Sequence, residues 1–377
     1  MPGQREQIGS TYKTARGNWD MYIPFFELAF NISRNTATIT FITPNKWLSI
    51  AYGKKLRELF MDYFTQLCNC DKIKVFEAGN TPEISFIKKT ANDNDIIIHS
   101  FNEDYSLSKK GKIPRSILKM GNWGLILSEN LILLIKILNK VKRVADYGDV
   151  ENPFAVSEAY NLLSCLYDGT EFDNNSDFKF INTGTIDKYV TLWGFKKTTY
   201  IKHKFLFQFV NKKKFKSIMP KRFEQSISRK IIITGIRHFE CFIDINGEYV
   251  AGKSTIIIRE STNNMKLEPL LALLNSSIVS FYLKDAFSAT GIDGGVNFSA
   301  PMVRDIPLPE ISDKEIKILD ELANKIISIT YSADYPENPT KQAQVKTLEK
   351  QIDHLVYKLY DLTPEEIQIV EGFNEGK

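Results

Sequence analysis

Apolar residues recur at helical spacing in "DMYIPFFELAFNI" (20–32), which predicts a helix. "TATITFITPNKWL" (36–48) alternates and then becomes continuously apolar, which predicts a strand that stops at Thr43-Pro44. "SIAYGKKLRELFMDYF" (49–64) returns to helical period with Ser49 as its cap. Strands are expected around Asp71 to Phe76 and Glu83 to Lys88, and "DIIIHSF" (95–101) is an isolated apolar run of strand length. Strand, helix, strand in this order predicts a mainly parallel sheet with helices on its faces over residues 1–110.

From about Lys112 to Leu308 the pattern changes to short strands, aromatic residues and Gly or Asn turns. "KLEPLLALLNSSIVSFYLKDAF" (266–287) reads as one helix in their midst, and "FSATGIDGGVNFSAP" (287–301) as a Gly-rich loop suited to close backbone approach to a ligand or to DNA. After Pro307 and Pro309 the chain turns helical. Val345, Leu348, Ile352, Leu355, Val356 and Leu359 line one face of the second tail helix, and Thr363-Pro364-Glu365-Glu366 has the signature of a helix start. An α/β part (1–110), an α+β part (111–310) and a helical tail (311–377) are therefore expected.

"GEYVAGKST" (247–255) matches the phosphate-loop pattern G-x-x-x-x-G-K-[ST], which works only where a strand turns directly into a helix. Here the residues that follow are Thr255-Ile256-Ile257-Ile258, a β-branched run that favours a strand. Upstream, Asn246-Gly247 lies between apolar residues and predicts a hairpin turn. The reading is strand, turn, strand, short Gly turn, strand, which is no nucleotide site.

A hydrophobic content of 43% over 377 residues is that of a globular protein with two or three domains. Cys68, Cys70, Cys165 and Cys241 make no disulfide framework and point to a reducing cytoplasm; the bland reading of Cys68 and Cys70 is partly buried thiols, and no metal site is expected. No stretch has the length of a membrane span or the form of a signal peptide, so no membrane partner is expected. The net charge of +4 conceals an asymmetry. Between Lys188 and Arg237 stand fourteen Lys or Arg and one acid, Glu224, a local +13 that leaves −9 for the rest. Nine aromatic residues are interleaved. Such a cluster is in part a solvated face over an aromatic core, but its self-repulsion is relieved by a polyanion, which makes double-stranded DNA the expected partner.

Six stretches together resemble one family: the adenine-N6 DNA methyltransferases of the TaqI-like gamma arrangement, particularly those of type IIG restriction–modification systems. "YKTARGNWDMYIPFFELAF" resembles the helix after the catalytic strand, and "ITFITPNKWLSIAYGKKLRELF" the next strand and helix. "KVFEAGNTPEISFI" resembles the hairpin that closes the catalytic sheet. "FINTGTIDKYVTLWGFKKTTYIK" is similar to part of the target-recognition domain, "LLALLNSSIVSFYLKD" with "DIPLPEIS" to that domain's end, and "LEKQIDHLVYKLYDLTPEEIQIVE" to the helical end of these proteins. The resemblance implies a partial Rossmann-like methyltransferase sheet, an α+β target-recognition domain and a helical tail.

The family's Asn-Pro-Pro-Tyr turn and Gly-rich cofactor loop do not occur in the sequence, which has no Pro-Pro and no G-x-G. The resemblance therefore implies the C-terminal portion of such an enzyme, from a split gene, an internal start or a truncation. Alone it is expected to bind no S-adenosylmethionine, the cofactor of the complete enzyme, and to need a separate chain carrying the N-terminal half. No nuclease is expected either: "DKEIK" at Asp313 reads as a solvated helix start.

By the same resemblance Phe76 matches the aromatic that stacks on an extruded adenine; the alternative is an ordinary core aromatic. Asn182, Thr183, Gly184 and Thr185 are expected to meet phosphate or base edges, and Lys196, Lys197, Lys202 and Lys204 to meet phosphates. Arg229 and Arg237 are the expected base readers, and Lys253 and Ser254 are expected at a DNA phosphate. No chemistry is assigned to His99, His203, His238 or His354. The competing reading is a stand-alone DNA-binding specificity protein or decayed remnant with no enzymatic partner.

Overall fold

The structure is a computed structural model, and it describes residues 2–77, 81–91, 93–169, 172–260, 265–287 and 296–375. The chain divides into two compact units, residues 1–134 with 285–291, and 135–284 with 292–377. Most of the expected Gly-rich loop, 288–295, lies outside the described residues.

The first unit opens with helices α1 (Pro2–Thr11) and α2 (Tyr22–Ile32). Strand β1 (Thr38–Pro44), helix α3 (Lys54–Phe60), and strands β2 (Phe64–Asn69), β3 (Pro82–Lys88), β4 (Ile96–Phe101) and β5 (Leu107–Ile113) follow. On α2 the apolar face delivers Ile23 and Phe26 to the core. Buried Glu27 accepts the backbone N–H groups of Lys13 (3.1 Å) and Thr14 (2.8 Å), tying down the turn that precedes the helix. Phe26, Phe41, Trp47, Phe60, Phe64 and Trp123 form one aromatic cluster, with centroids such as Phe26 and Phe41 only 4.6 Å apart.

The sheet order is β1-β3-β2-β4-β5. The expected mainly parallel sheet is not what forms: among these pairings only β2 with β4 is parallel. Parallel neighbours need a crossover, usually a helix, and no helix among the described residues separates β2, β3, β4 and β5. Two further expectations are corrected. Residues 71–76 form turns and bends, and the strand is Phe64–Asn69, which starts on the last residue of the stretch expected to be helical. Ser49 caps nothing at the start of α3, which begins five residues later.

The second unit is built on two four-stranded sheets among the described residues. One contains β6 (Gly148–Glu151), β12 (Lys230–Thr234), β14 (Cys241–Asp244) and β16 (Thr255–Glu260), in the order β14-β12-β16-β6 and antiparallel throughout. The other contains β7 (Leu166–Asp168), β8 (Asp177–Ile181), β11 (Gln208–Asn211) and β15 (Tyr249–Ala251), in the order β15-β8-β11-β7. A hairpin of β9 (Thr198–Tyr200) and β10 (His203–Phe205) precedes β11, and a two-residue strand β13 (Ile236–Arg237) follows β12. Ile231, Ile232 and Ile233 are all fully buried, so β12 is covered on both faces. Ile181, Ile232, Phe242, Ala251 and Ile257 join the two sheets in one core cluster.

Asn246-Gly247 does not close a hairpin. Strands β14 and β15 flank it but belong to different sheets, and β15 pairs in parallel with β8. The buried Asp244 carboxylate accepts the N–H groups of Glu248 (3.0 Å) and Tyr249 (3.1 Å), turning the chain out of the first sheet. Asp244 is itself paired with buried Lys230 at 2.5 Å. The expected single helix over 266–287 is two, Leu267–Leu274 and Ser277–Ala286. At the break, the Asn275 side chain acts as a peptide edge: its amide donates to Cys241 O (2.8 Å) and its carbonyl accepts Cys241 N–H (3.1 Å).

Helices Asp313–Thr330 and Pro339–Leu359 pack on each other and on Leu267–Leu274. Thr363 and Glu366 make the expected capping box of Pro364–Glu375, with Thr363 N–H to the Glu366 carboxylate at 2.8 Å. Among the described residues no helix is long and apolar enough to cross a membrane.

Candidate nucleic-acid interface

Three turns of the second unit are knitted together by short residues. In the Asn182–Thr185 turn, the Thr183 hydroxyl donates to Ser254 O and accepts the Gly235 N–H at 3.2 Å. In the Gly252–Ser254 turn, Gly252 N–H donates to Ile181 O at 2.7 Å, and Thr255 donates back to Gly252 O. Gly235 opens the third turn and is required by close approach, because a Cβ there would stand 2.2 Å from Ser254 O. Gly252 is required likewise, since its Cβ would meet Asn182 Oδ1 at 2.7 Å.

This geometry answers the phosphate-loop pattern. Gly247 has φ +65 in the turn between two sheets, Gly252 admits the Asn182 side chain, and the next element is strand β16, not a helix. Lys253 is exposed at the tip of a turn and Ser254 is half-buried beside Thr183.

The β9–β10 hairpin adjoins this cluster through the Asn182 side-chain amide, which reaches Thr199 O at 3.5 Å. Its turn is Ile201 (φ 44) and Lys202 (φ 69), two consecutive left-handed residues of which one is β-branched. Arg237, at the third turn, also has a positive φ, 71. Of the six such non-Gly residues described, two form the tip of this hairpin and a third is Arg237, on the short strand β13. Positive φ at both central residues is what a two-residue hairpin turn requires, so Ile201 and Lys202 fit the hairpin at the cost of a β-branched residue in that conformation.

Lys196, Lys197, Lys202, Lys204, Arg237 and Lys253 are all exposed, and among the described residues none forms a salt bridge. His203 and His238 stand exposed beside them. Neither histidine nor Gly235 stood out in the sequence; lysines on both sides of His203 were the available signal. Near the third turn lies Glu240, whose carboxyl is pushed up to about 7 by burial and by Asp187, against the pull of Lys188, Lys284 and Lys196. Around neutral pH it is therefore partly protonated and repels a polyanion less than an ordinary acid would.

Much of the rest of the basic segment is committed internally, although Lys213 and Lys221 are exposed and form no salt bridge among the described residues. Arg229 pairs with Glu260 (2.6 Å) and with Glu268, which removes it as a base reader. Arg222 pairs with Glu158 at 2.8 Å, Lys230 is buried on Asp244, and Lys212 and Lys216 lie over the rings of Phe178 and Phe223. Thr185 is wholly buried, its hydroxyl donating to Asn182 O, so it has no surface for a DNA contact. Asn182 is also buried, which leaves Thr183 and Gly184 as the accessible part of that turn.

In the first unit Phe76 is 44% exposed on a bend, so the core-aromatic reading does not hold. The hairpin expected around it includes 78–80, which lie outside the described residues. Glu83, fully buried on β3, accepts Thr43 Oγ1 (2.9 Å), Trp47 Nε1 (2.8 Å) and the Ser85 hydroxyl (2.6 Å), and burial pushes its carboxyl up to about 7. Its partners are all internal. Strand β1 runs into Pro44 and a short 3-10 turn, Asn45–Leu48, with no glycine-rich turn opening a helix. Among the described residues this turn therefore lacks the glycine-rich backbone that would cradle a nucleotide-type cofactor.

Residues 2–78 match the family described as Eco57I restriction-modification methylase, and residues 180–308 match the TaqI-like C-terminal specificity domain. No match was found among curated proteins. Among solved structures the chain is similar to the type IIL restriction–modification enzyme MmeI in complex with DNA, at 13% identity over 99% of this chain and 54% of that one, with a TM-score of 0.54. It is also similar to the type IIG restriction endonuclease BpuSI (13% identity, 92% and 50% covered, TM-score 0.39). A third is a nuclease-deletion mutant of the type ISP enzyme LlaGI with a DNA substrate mimic (11%, 83% and 31%, 0.43). The likeness to MmeI shows a shared fold. The chain spans about half the length of the first two.

Proposed function

We propose that this chain recognises double-stranded DNA as the specificity part of an adenine-specific methyltransferase in a cytoplasmic restriction–modification system of the type IIG kind. The observation that carries this reading is the set of exposed cations, without salt bridges among the described residues, on and beside the interlocked turns around Thr183, Gly235 and Ser254, inside the stretch that matches a specificity domain. Lys196, Lys197, Lys202, Lys204 and Lys253 meet phosphates, Thr183, Gly184 and Ser254 position the backbone, and Arg237 reads a base edge. Methyl transfer requires a cofactor loop and a Pro-Pro turn that these 377 residues do not contain, supplied by a separate chain or segment. Phe76 then stacks on the target base.

Duplex binding measured against salt tests the interface. Each neutralised phosphate contributes about −0.9 to the log–log slope, so replacing Lys196, Lys197, Lys202 and Lys204 together by Ala lowers the slope by roughly 3.6. A slope that the four substitutions leave unchanged rejects the hairpin as the contact surface. Mixing the chain with a protein that carries the missing motifs, labelled S-adenosylmethionine and DNA separates the split enzyme from a stand-alone binder: transfer in the mixture supports the former, none the latter.

A further inference from the structure

The second unit contains a cavity of about 620 Å³ that the DNA-contacting turns do not use. Its walls are aromatic: Trp193, Phe195, Phe207, Phe242, Tyr249 and Tyr331. Trp193 Nε1 donates to Gln208 O (3.1 Å) and the Tyr331 hydroxyl to Ile243 O (2.7 Å), so both offer ring surface rather than polar atoms. Phe195 (53% exposed) and Tyr331 (48%) stand uncovered at the cavity, so their ring surfaces are open to a ligand. Gly194, with φ +82, allows the chain to pass close to Phe207, where a Cβ would stand 2.9 Å from the ring.

One patch of the lining is polar. Lys179 Nζ lies 3.3 Å from the Glu248 carboxylate, and the Asn246 amide reaches Glu248 at 3.4 Å. Lys179 also lies 4.2 Å from the centroid of Phe172 and 5.4 Å from that of Tyr249, which holds its ammonium at the wall. Donor and acceptor thus sit side by side among ring faces. A plain hydrocarbon would desolvate this pair without replacing its water. A flat heteroaromatic ring whose edge carries both an acceptor and a donor satisfies the pair while stacking on the walls.

We infer that this cavity is a nucleobase-binding pocket: Phe195 and Tyr331 clamp the ring, and Lys179, Glu248 and Asn246 meet its hydrogen-bonding edge. The base comes either from a free nucleotide or from an unpaired position in a nucleic-acid strand, and the chemistry of the pocket is the same for both. This site is distinct from the charged turns and does not depend on their binding DNA.

The test uses the full chain with three probes: labelled deoxynucleoside 5′-monophosphates in equilibrium dialysis, a labelled single-stranded oligonucleotide, and an intact duplex. Phe195→Ala and Tyr331→Ala are the variants, chosen because both rings are exposed; since Tyr331→Ala also loses the bond to Ile243 O, thermal unfolding is measured for both, and Phe195→Ala carries the test if the Tyr331 variant is destabilised. A further variant, Glu248→Gln, changes the edge pattern and is expected to reorder preference among the four bases. Saturable mononucleotide binding that weakens about five- to hundredfold in the ring variants supports a free-nucleotide pocket. Binding of the single strand alone, weakened by the same variants, supports capture of an unpaired base. No binding of either probe, or binding that both ring variants leave unchanged, overturns the inference. The duplex arm keeps the two readings apart: the four-lysine variant loses duplex affinity and retains base binding, whereas the ring variants keep the wild-type salt slope.

Discussion

The hairpin at 196–204 and the helical stretch at 212–230 are neighbours in sequence with the same mixture of lysines and aromatic residues, yet they use their charges in opposite ways. In the hairpin, Lys196, Lys197, Lys202 and Lys204 are exposed and make no salt bridge among the described residues, and the turn between them is held in a left-handed conformation. In the second stretch Arg222, Arg229 and Lys230 each have a carboxylate, and Lys212 and Lys216 lie over aromatic rings. The +13 of the segment is therefore no measure of the charge available to DNA. Part of it holds the fold together, and the free part comprises the hairpin cations with Lys213 and Lys221 on the helices.

Breaking the structural half has the largest expected effect. Lys230 and Asp244 are both 1% exposed, so Lys230→Met leaves a carboxylate buried without its cation, at a cost of about 3 to 5 kcal/mol in denaturant unfolding. Adding Asp244→Leu is not expected to restore the loss in full, because Asp244 also holds the Glu248 and Tyr249 N–H groups. A cost of less than 1 kcal/mol for Lys230→Met would show that the strand exchange between sheets does not rest on this pair.

Glu83 sharpens the contrast, as a buried charge with hydrogen bonds but no cation. Its carboxyl, raised from the ordinary 4.5 to about 7 by burial, binds a proton more tightly folded than unfolded. The stability it contributes is complete below pH 4.5 and is lost as pH rises through about 7. Glu83→Gln removes that loss, so the variant gains up to about 3 kcal/mol over the wild type at pH 8 and nothing at pH 4. Glu240 titrates in the same range with the same sign, so the measured quantity is the difference between the two proteins. An equal pH dependence in both excludes Glu83 as its source.

Much of the local structure was legible. The tail helices, their apolar faces and the Thr363 capping box follow from short-range periodicity and cap chemistry. What could not be read was pairing. Asn246-Gly247 has every local mark of a hairpin, but the carboxylate of Asp244 and an open edge on β8 send the next strand to another sheet. The helix at 266–287 is broken by a side chain whose partner, Cys241, lies 34 residues away. The same limit applied to the site. Thr183, Lys202, Arg237 and Lys253, expected at DNA, stand exposed or half-buried, but that Arg229 is spent on Glu268 is a contact across 39 residues that composition does not contain.

On the free side of the comparison, Arg237 is the residue whose loss should alter specificity more than affinity. Arg237→Gly removes the side chain proposed to read one base pair and relieves a non-Gly residue at φ 71. Discrimination at a single position is expected to fall by about 1 to 3 kcal/mol. Fold stability is expected to be unchanged or to rise by about 1 kcal/mol, since glycine adopts that backbone without strain. Binding measured against a library of single-base-pair variants is the readout, and uniform weakening at every position would make Arg237 a phosphate contact instead.

The smallest effect separates the two halves most directly, because it compares one cation with one cation. Arg222→Ala breaks a pair with Glu158 whose side chains are 25% and 33% exposed, so at most about 1 kcal/mol of stability is expected to be lost. The Arg222 guanidinium is what chiefly holds the Glu158 carboxyl below its ordinary range, so this contribution is present at neutral pH and fades as pH falls through the native value. Lys196→Ala removes the same charge from the hairpin, where it should leave stability unchanged within about 0.5 kcal/mol and lower the DNA salt slope by about 0.9. If Arg222→Ala lowers the slope as much as Lys196→Ala does, the division of the basic segment into structural and DNA-facing cations is wrong.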